Sequence, residues 1–284
     1  MSDTSIAQPI TTPIVLTIAG SDSGGGAGIQ ADIKAISATG SYACSVITAI
    51  TAQNTQGVSA IFPIPLQYVA AQLDAVFSDI KVSAVKIGML ADADIIRVVA
   101  EKIRQYQPQH LVLDPVMVAT SGDTLLEQSA ISTLKNELLG LADIITPNLP
   151  EAALLIDQPI PRNEAEMLDM VNGLRQLQAQ AVLLKGGHLS DSAGSVDLLI
   201  TEDDVVRLSA KRIATQNTHG TGCTLSSAIA SYLAQGHSLH EAVSAAKNYL
   251  SQAIAQADTL NIGQGHGPVH HFFAQELRRY NADA

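Results

Sequence analysis

Short apolar stretches alternate with amphipathic stretches along most of the chain. Residues 14–19 (Ile-Val-Leu-Thr-Ile-Ala) have the length and composition of a buried strand. Similar apolar stretches occupy residues 45–49, 84–87, 111–113, 144–146 and 181–184. Apolar residues recur at helical spacing over residues 29–38, 66–77, 92–106, 129–139 and 164–177. Strands that alternate with helices of this length predict an α/β fold, a mainly parallel sheet with helices on both faces.

The last third of the chain departs from this alternation. Residues 196–200 and 205–208 are β-type stretches separated by four polar residues, so we predict a hairpin and an antiparallel edge to the sheet. Helical spacing then returns over residues 225–234, 239–257 and 270–280. No repeat or linker interrupts residues 14–284, which we expect to form a single domain. Residues 1–13 are polar with two prolines and predict a disordered leader.

Composition narrows the classes of function. The formal charge of −11 disfavours a nucleic-acid groove, which needs clustered lysine and arginine. No apolar stretch reaches the ~18 residues of a membrane helix, and residues 1–13 lack the features of a signal peptide. Cys44 and Cys223 are too few for a disulfide framework or a structural zinc site, so we expect a protein of the reducing cytoplasm.

Polar and glycine residues follow nearly every predicted strand. Ligands of parallel sheets bind beyond the carboxyl ends of the strands, which is where these loops should meet. The loops span residues 20–28, 53–55, 88–90, 114–117, 146–151, 185–188 and 217–225. None of them carries the glycine spacing of a dinucleotide fold or of a P-loop. His188 and His219 are interpreted as loop hydrogen-bonding residues, because no metal-ligand spacing surrounds them.

The loop at residues 217–225 is the most informative of these. Gly220 and Gly222 flank Thr221 just before a predicted helix, an arrangement that can expose backbone N–H groups and the positive end of the helix dipole to an anion. The alternative is a glycine turn that merely leads into a buried helix. Cys223 follows directly, and a thiol at a helix N-terminus is expected to have a pKa below its usual value of about 8.5. Its alternative role is that of a small buried apolar residue.

Charged residues at the strand ends add candidates. Asp114 follows a strand and could face a ligand or Mg²⁺, or could cap its own loop. Asn148 and Glu151 lie three residues apart, so Glu151 could hold metal-bound water or complement a helix N-terminus. Lys185 ends an apolar strand, where a phosphate partner would use its charge. Asp32, one turn into the first helix, could contact a ligand or be a solvated helix acid.

Several of these stretches together resemble one known family. The chain is similar to the hydroxymethylpyrimidine/phosphomethylpyrimidine kinases of thiamine biosynthesis, within the ribokinase-like fold. The resemblance lies in residues 19–22, 25–34, 45–55, 86–90, 145–152, 185–189, 217–225 and 267–272, and spans about residues 14–273. It implies a three-layer sandwich with an antiparallel edge. One departure is Ser23-Gly24, where many members have Pro-Ser.

The resemblance also implies roles for individual residues. The pyrimidine pocket would comprise Gly20, Asp32, Gln53, Met89 and Val116, with Gln53 pairing to the edge of the ring. Nucleotide contacts would come from Asp114, Asn148, Lys185 and Thr218, and metal contacts from Asp114 and Glu151. Gly220, Thr221 and Gly222 would form an anion hole, and Cys223 occupies the position of the catalytic base of sugar-kinase relatives.

The expected activity follows from the same resemblance. It is the ATP- and Mg²⁺-dependent phosphorylation of 4-amino-5-hydroxymethyl-2-methylpyrimidine, and then of its monophosphate to the diphosphate. The resemblance further suggests a cytoplasmic homodimer that binds neither nucleic acid nor membranes. Two alternatives remain open, a pyridoxal/pyridoxine kinase and a non-catalytic ligand sensor.

Overall fold

The computed structural model describes residues 12–117, 128–187, 189 and 194–275. Within these residues, eight strands form one sheet in the order β10-β9-β8-β7-β6-β5-β1-β2. These strands are β1 (Ile14–Ala19), β2 (Tyr42–Ile47), β5 (Ala84–Ile87), β6 (Leu111–Leu113), β7 (Ile144–Ile145), β8 (Ala181–Lys185), β9 (Gly194–Ile200) and β10 (Val205–Lys211). The pairs from β2 through to β8 are parallel, whereas β9 is antiparallel to both β8 and β10.

Helices cover both faces of this sheet. They are α1 (Gly28–Ala38), α2 (Leu66–Asp79), α3 (Ala93–Tyr106), α4 (Gln128–Glu137), α5 (Leu149–Leu155), α6 (Glu164–Asp169), α7 (Val171–Arg175), α8 (Thr221–Ala234) and α9 (Leu239–Ala255). Two short 3₁₀ helices span Leu139–Leu141 and Ala257–Thr259. No helix among the described residues is both long enough and apolar enough to span a membrane.

Alternating strand residues divide the apolar interior into two layers. Val15 and Val112 point to the face covered by α1, α8 and α9, while their neighbours Leu16 and Leu113 point to the face covered by α2 through α7. This alternation is the consequence of the two-residue side-chain period of a strand. Because both faces are covered, the central strands are apolar at successive positions. The predicted mainly parallel α/β sandwich with an antiparallel edge is therefore confirmed.

A second, two-stranded sheet was not predicted. It is a hairpin of β3 (Ala49–Asn54) and β4 (Gly57–Pro63), and it places Gln53 on a strand rather than in a loop. Most side chains of β4 are exposed, so the alternation of polar and apolar residues that marks a half-buried strand is weak there. The hairpin lies at the end of the sheet where the predicted ligand loops converge.

Other boundaries differ from the sequence predictions. Strand β2 begins at Tyr42, not at 45, and the predicted helix 164–177 is two short helices that meet at Met170. Helix α5 was not predicted. Residues 270–275 form turns rather than the start of a helix over 270–280, and residues 276–280 lie outside the described part. His271 in these turns is held by tertiary contacts, since Tyr249 donates a hydrogen bond to its carbonyl oxygen.

Candidate active site

One large cavity opens at the carboxyl ends of the parallel strands. Its volume is about 900 Å³. All but one of the residues proposed from the sequence line it, and these are Gly20, Gln53, Met89, Asp114, Val116, Asn148, Glu151, Lys185, Thr218, Gly220, Thr221, Gly222 and Cys223. Because the loops that carry them follow different strands, only the shared sheet edge brings them together.

The N-terminus of α8 forms the middle of the cavity wall. The helix begins at Thr221 with Gly220 as its N-cap in the left-handed conformation (φ 78°), and no side chain caps this end. A Cβ atom on Gly220 would lie 1.8 Å from the carbonyl oxygen of Gly26, so only glycine fits there. The uncapped first turn therefore faces the cavity with the positive end of its dipole, as an anion hole requires.

Asp22 organises the glycine loop, which we define as residues 20–28. Its carboxylate accepts hydrogen bonds from the backbone N–H groups of Gly24 (2.8 Å), Gly26 (3.0 Å) and Ala27 (2.8 Å), and lies 2.8 Å from Nε2 of His219. Burial opposes ionisation, yet these hydrogen bonds hold the pKa of Asp22 below its usual value. The sequence analysis did not select Asp22, although an aspartate within a run of glycines signals a side chain that bonds to nearby backbone groups.

The hairpin β3–β4 closes one end of the cavity. The hydroxyl of Thr51 donates to Oε1 of Gln53 at 3.2 Å, and Nε2 of Gln53 lies 3.4 Å from Nε2 of His219. Met89 and Val116 line the same cavity. This end combines apolar walls with an oriented side-chain amide, a combination suited to a small heteroaromatic ring.

Lys185 and Asp114 form an ion pair under the first turn of α8. The ammonium of Lys185 donates to Oδ1 of Asp114 at 2.9 Å, and Thr146 donates to the same oxygen. A Cβ atom on Gly222 would lie 3.3 Å from Oδ2 of Asp114 and 3.4 Å from Nζ of Lys185. Burial disfavours both charges, but the neighbouring lysines keep the pKa of Asp114 low and the neighbouring acids keep that of Lys185 high.

Glu151 has a structural contact in addition to its place in the cavity wall. It forms a capping box with Asn148, in which Glu151 accepts from the backbone N–H of Asn148 (2.8 Å) and Asn148 accepts from that of Glu151 (2.9 Å). The predicted alternative, a helix N-terminal acid, is therefore present. Burial, with a smaller contribution from the nearby Asp114 charge, raises the pKa of Glu151 to about 7.

The carboxylates of Asp114 and Glu151 are a donor set compatible with Mg²⁺. No group of three or more potential metal-ligating side chains occurs in the described part of the chain. Magnesium, however, usually keeps several waters and takes only one or two protein carboxylates together with substrate phosphates. Burial is the main reason that the pKa of Glu151 is raised, and the Asp114 charge adds to it; a nearby divalent cation would favour the ionised form of both carboxylates.

Asp32 is the candidate that does not line the cavity. Its side chain is fully buried beneath α8, and its carboxylate accepts hydrogen bonds from Lys86, Thr17 and Ser227. The geometry does not support a direct contact between Asp32 and a ring, and it excludes the solvated helix acid considered above. Asp32 has a structural role here, because its carboxylate bonds only to buried groups of the protein among the contacts described above.

The environment of Cys223 corrects another expectation. Burial raises the pKa of the Cys223 thiol to about 11, in place of the lowering expected at a helix N-terminus. The positive charge of Lys86 lowers this pKa, but the carboxylates of Asp32 and Asp114 act in the opposite direction. Desolvation is therefore the largest cause of the shift, although Cys223 lies at a helix N-terminus and is only partly buried in the cavity wall.

Some lining residues were missed, and one candidate is not described. Lys86, Asp197, Arg212, His219 and Lys247 all line the cavity. Of these, Lys86 carried a sequence signal, a lysine within the apolar stretch of β5 two residues before Gly88. His219 had been interpreted as a loop hydrogen-bonding residue, whereas Asp197, Arg212 and Lys247 became apparent only from tertiary contacts, such as that between Asp197 and Lys247. His188 lies outside the described residues.

The raised pKa of Glu151 predicts a pH-dependent contribution to stability. The pKa of Glu151 in the folded protein, about 7, exceeds the usual glutamate pKa of 4.5. Its contribution to stability is therefore complete below pH 4.5 and is lost as the pH rises through 7. Relative to Glu151→Gln in metal-free buffer, we expect the wild type to lose about 1.4 kcal/mol of unfolding free energy per pH unit between the two values. Urea denaturation at a series of pH values measures this difference.

Glu241 provides the matched control, since it forms an exposed capping box with Ser238 at the start of α9. Hydrogen bonds from Ser238 lower the pKa of Glu241, so its contribution is lost only at more acidic pH. The difference between wild type and Glu241→Gln should stay constant from pH 5 to pH 8. If the free energy of unfolding changes with pH in the same way in the wild type and in Glu151→Gln, the prediction is contradicted.

The contact between Gly220 and Gly26 predicts a specific effect of a methyl group. Gly220→Ala must move α8 away from the glycine loop, so we expect turnover to fall at least about tenfold. Gly236→Ala is the control, because Gly236 has the same left-handed conformation (φ 88°) with nothing within 4 Å. Both variants carry a backbone strain of about 1–2 kcal/mol, and only the first adds the clash. Equal thermal stability and turnover of the two variants would contradict this reading.

Comparisons with known proteins agree with the geometry. The sequence matches the family described as phosphomethylpyrimidine kinase over residues 22–270. A hydroxymethylpyrimidine/phosphomethylpyrimidine kinase of Rhizobium meliloti is 57% identical over 261 residues, which cover 92% of this chain and 97% of the relative. The phosphomethylpyrimidine kinase of Clostridium difficile 630 is similar in structure (TM-score 0.75, 45% identity, 85% of this chain and 99% of the other).

A pyridoxal kinase is also similar in structure. The ADP complex of Bacillus subtilis pyridoxal kinase has a TM-score of 0.85 with 36% identity, over 92% of this chain and 98% of the other. These proteins share the ribokinase-like fold that the sequence led us to expect. The match over most of the chain, together with the cavity at the strand ends, shows that the chain belongs to the phosphomethylpyrimidine kinase family.

Proposed function

We propose that this protein transfers the γ-phosphoryl group of ATP to the hydroxymethyl group of 4-amino-5-hydroxymethyl-2-methylpyrimidine, and then to the resulting monophosphate. The observation that carries the proposal is a single cavity in which an oriented glutamine and apolar walls adjoin an uncapped helix N-terminus and a lysine. The names of the relatives support the same reaction. The second step fits the same site because the phosphate oxygen that accepts the second phosphoryl group belongs to the same substituent of the ring as the hydroxyl oxygen that accepts the first.

Binding and orientation come from both ends of the cavity. Gln53 is proposed to pair with the edge of the ring, with Gly20, Met89 and Val116 around it. At the other end, Asn148, Thr218, Lys185 and Asp114 are proposed to hold the nucleotide. Phosphoryl transfer depends on positioning and on charge stabilisation more than on covalent chemistry, which this division of the cavity provides. The first turn of α8, with Gly220, Thr221 and Gly222, stabilises charge on the transferring group.

Cys223 is proposed to assist removal of the proton from the attacking hydroxyl. Only the thiolate form can accept that proton, and the raised pKa of the thiol makes this form scarce at physiological pH. We therefore assign it a contribution near the lower end of the range of about 10²–10⁴ found for general-base catalysis. The loose transition state of phosphoryl transfer requires little activation of the nucleophile, so a small fraction of thiolate is enough for this contribution.

Asp114 and Glu151 are the residues that would hold Mg²⁺. When bound, the ion supplies positive charge to the phosphate oxygens of ATP. Before binding, Lys185 compensates the Asp114 charge and Glu151 is held partly neutral by burial. Asp114 and Glu151 can therefore lie close together in the metal-free protein without a large excess of negative charge.

Phosphorylation of pyridoxal is the second candidate function. The observation that favours it is the likeness to the Bacillus subtilis pyridoxal kinase along nearly the whole of both chains. Pyridoxal also presents a hydroxymethyl group on a six-membered heteroaromatic ring. A cavity that recognises this shared feature mainly through Gln53 and apolar contacts would admit both compounds.

A substrate panel tests the proposed function. We expect ATP consumption with the pyrimidine alcohol and with its monophosphate, and a lower kcat/KM with pyridoxal. Cys223→Ser should lose turnover by about 10²-fold while calorimetry still shows binding of ATP and the pyrimidine. Binding of the pyrimidine without turnover would indicate the ligand sensor instead. A preference for pyridoxal would replace the proposed function by the second candidate.

The outer surface of the hairpin β3–β4 supports a homodimer. Ile50 is 51% exposed and Phe62 is 62% exposed, and Tyr68 at the start of α2 is 60% exposed. Exposed apolar side chains in such a group are typical of protein–protein contacts. We propose that a second copy of the chain covers this surface and that the dimer is cytoplasmic, in keeping with its two free cysteines.

Sedimentation equilibrium tests the dimer. The wild type should sediment at twice the 29.7 kDa chain mass at micromolar concentration. Phe62→Asp should sediment as a monomer, because a buried charge at the centre of the surface is costly. Ile160→Asp is the control, since Ile160 is similarly exposed (54%) but lies between α5 and α6, away from the hairpin. A monomeric wild type, or a dimeric Phe62→Asp, would overturn this assignment.

A further inference from the structure

A lysine and an aspartate form a fully buried ion pair beneath α8. The ammonium of Lys86 lies 2.8 Å from both carboxylate oxygens of Asp32, and both side chains are 0% exposed. Lys86 is on β5 and Asp32 is on α1. Burial disfavours the charge of the lysine, but the nearby carboxylates of Asp32 and Asp114 keep the pKa of Lys86 above its usual value, so the ammonium stays charged.

Two hydroxyl groups complete the contacts of the pair. Thr17 on β1 donates to Oδ2 of Asp32 at 2.6 Å, and Ser227 on α8 donates to Oδ1 at 2.7 Å. The carboxylate therefore joins β1, β5, α1 and α8 at one point. With Lys86 and both hydroxyl groups donating to it, Asp32 is a counter-ion and not a free proton acceptor.

The Asp32 carboxylate lies beneath the N-terminal part of α8, the end that carries Cys223. Ser227 follows Cys223 by four residues, so the two side chains occupy the same face of the helix. Ser227 and Lys86 contact the same oxygen of Asp32. Lys86 and Cys223 also border the same cavity, although the side chain of Lys86 has no exposed surface.

A buried ion pair is in itself weak evidence for a contribution to stability. Replacing a buried ion pair by apolar residues of similar volume is often neutral or stabilising, because both charges must be removed from water. A charged pair at this place must therefore be explained by what it does to its surroundings. Here the surroundings are the first turn of α8 and the thiol of Cys223.

We propose that Lys86 is a positioning residue for phosphoryl transfer: through Asp32 it fixes the first turns of α8, and its ammonium supplies the positive charge that favours the thiolate form of Cys223. The inference rests on the proposed function, because it concerns the proton that Cys223 accepts. The charged groups that act on the thiol are Lys86 from β5, Asp32 from α1, Asp114 after β6 and Lys185 from β8.

The effect of the Lys86 charge on Cys223 is tested by the rate at which iodoacetamide alkylates Cys223. The rate is measured by mass spectrometry from pH 7 to pH 10 without substrates. Thiolate is the reactive form, and one unit of thiol pKa changes its fraction about tenfold. Lys86→Met should slow alkylation about tenfold and Asp32→Asn should accelerate it about tenfold, since the first removes a cation and the second an anion. Cys44 on β2 is the internal reference, and its rate should not change.

The alkylation rate is expected to change in opposite directions in the two variants, and this distinguishes an effect of charge from a packing defect. Loosened packing would expose the thiol and accelerate alkylation in both variants. Shifts in the same direction, or none, would overturn the proposal. If Lys86→Met does not fold, Asp32→Asn is compared with Asp32→Asn/Lys86→Met, which differ only in the lysine. The double variant should then be about tenfold slower, and equal rates would likewise overturn the proposal.

Kinetics with the pyrimidine alcohol complete the test. Lys86→Met should lower kcat about tenfold with little change in KM for ATP, because the lysine acts on the proton-accepting group. Lys102→Met is the control, since Lys102 pairs with Asp74 on the far helices α2 and α3 (2.6 Å) and should leave kcat unchanged. If the wild type has no kinase activity but the variants show the predicted changes in alkylation rate, only the proposed function is refuted. If the wild type is active but the alkylation rates of the variants do not change, only this inference is refuted.

Discussion

The carboxylate of Asp32 is the interaction on which the arrangement of the cavity depends. It lies at the point where two neighbouring strands and two helices meet, and it accepts hydrogen bonds from Thr17, Lys86 and Ser227. The position of α8 relative to the sheet is thereby fixed by polar contacts in addition to apolar packing. Apolar contacts tolerate small shifts, whereas hydrogen bonds to one buried carboxylate do not. The first turn of α8 is consequently held in place before any ligand binds.

Charge balance follows from the same arrangement. The N-terminus of α8, Lys86 and Lys185 concentrate positive charge at one point of a protein whose net formal charge is −11. Asp32 and Asp114 compensate the two lysines directly, and Glu151 is partly neutral because its pKa is about 7. An incoming phosphate thus meets backbone dipoles and paired lysines in place of a bare carboxylate cluster. The raised pKa of Cys223 is the cost of enclosing this group of charges away from water.

Two glycine-containing segments far apart in the chain form one wall of the cavity. Gly220 lies against the carbonyl of Gly26, and His219 lies against the carboxylate of Asp22. The conformations of the glycine loop and of the start of α8 therefore depend on each other. Glycine is required where the two backbones touch because a Cβ atom has no space there. The hairpin β3–β4 completes the wall with Gln53, so the proposed ring-binding and phosphate-binding groups belong to one boundary of the cavity.

The sequence by itself determined the layers and the location of the site. Apolar stretches separated by helical spacing specify a covered parallel sheet, and such a sheet places its ligand loops at one edge. Most candidate residues could therefore be selected from their positions after strands, and glycines 220 and 222 from their place before a helix. The hairpin was not detectable in the same way, because its exposed strand β4 carries little alternation.

Only the tertiary structure decided what the individual side chains do. Asp32 follows the glycine loop in sequence, but the fold turns it inward to Lys86 and away from the cavity. Cys223 begins a helix, yet burial raises its pKa against the dipole. Glu151 both caps a helix and lines the cavity. Burial and charge pairing arise between residues distant in the chain, so local sequence patterns determine where functional groups stand but not how strongly each holds its proton.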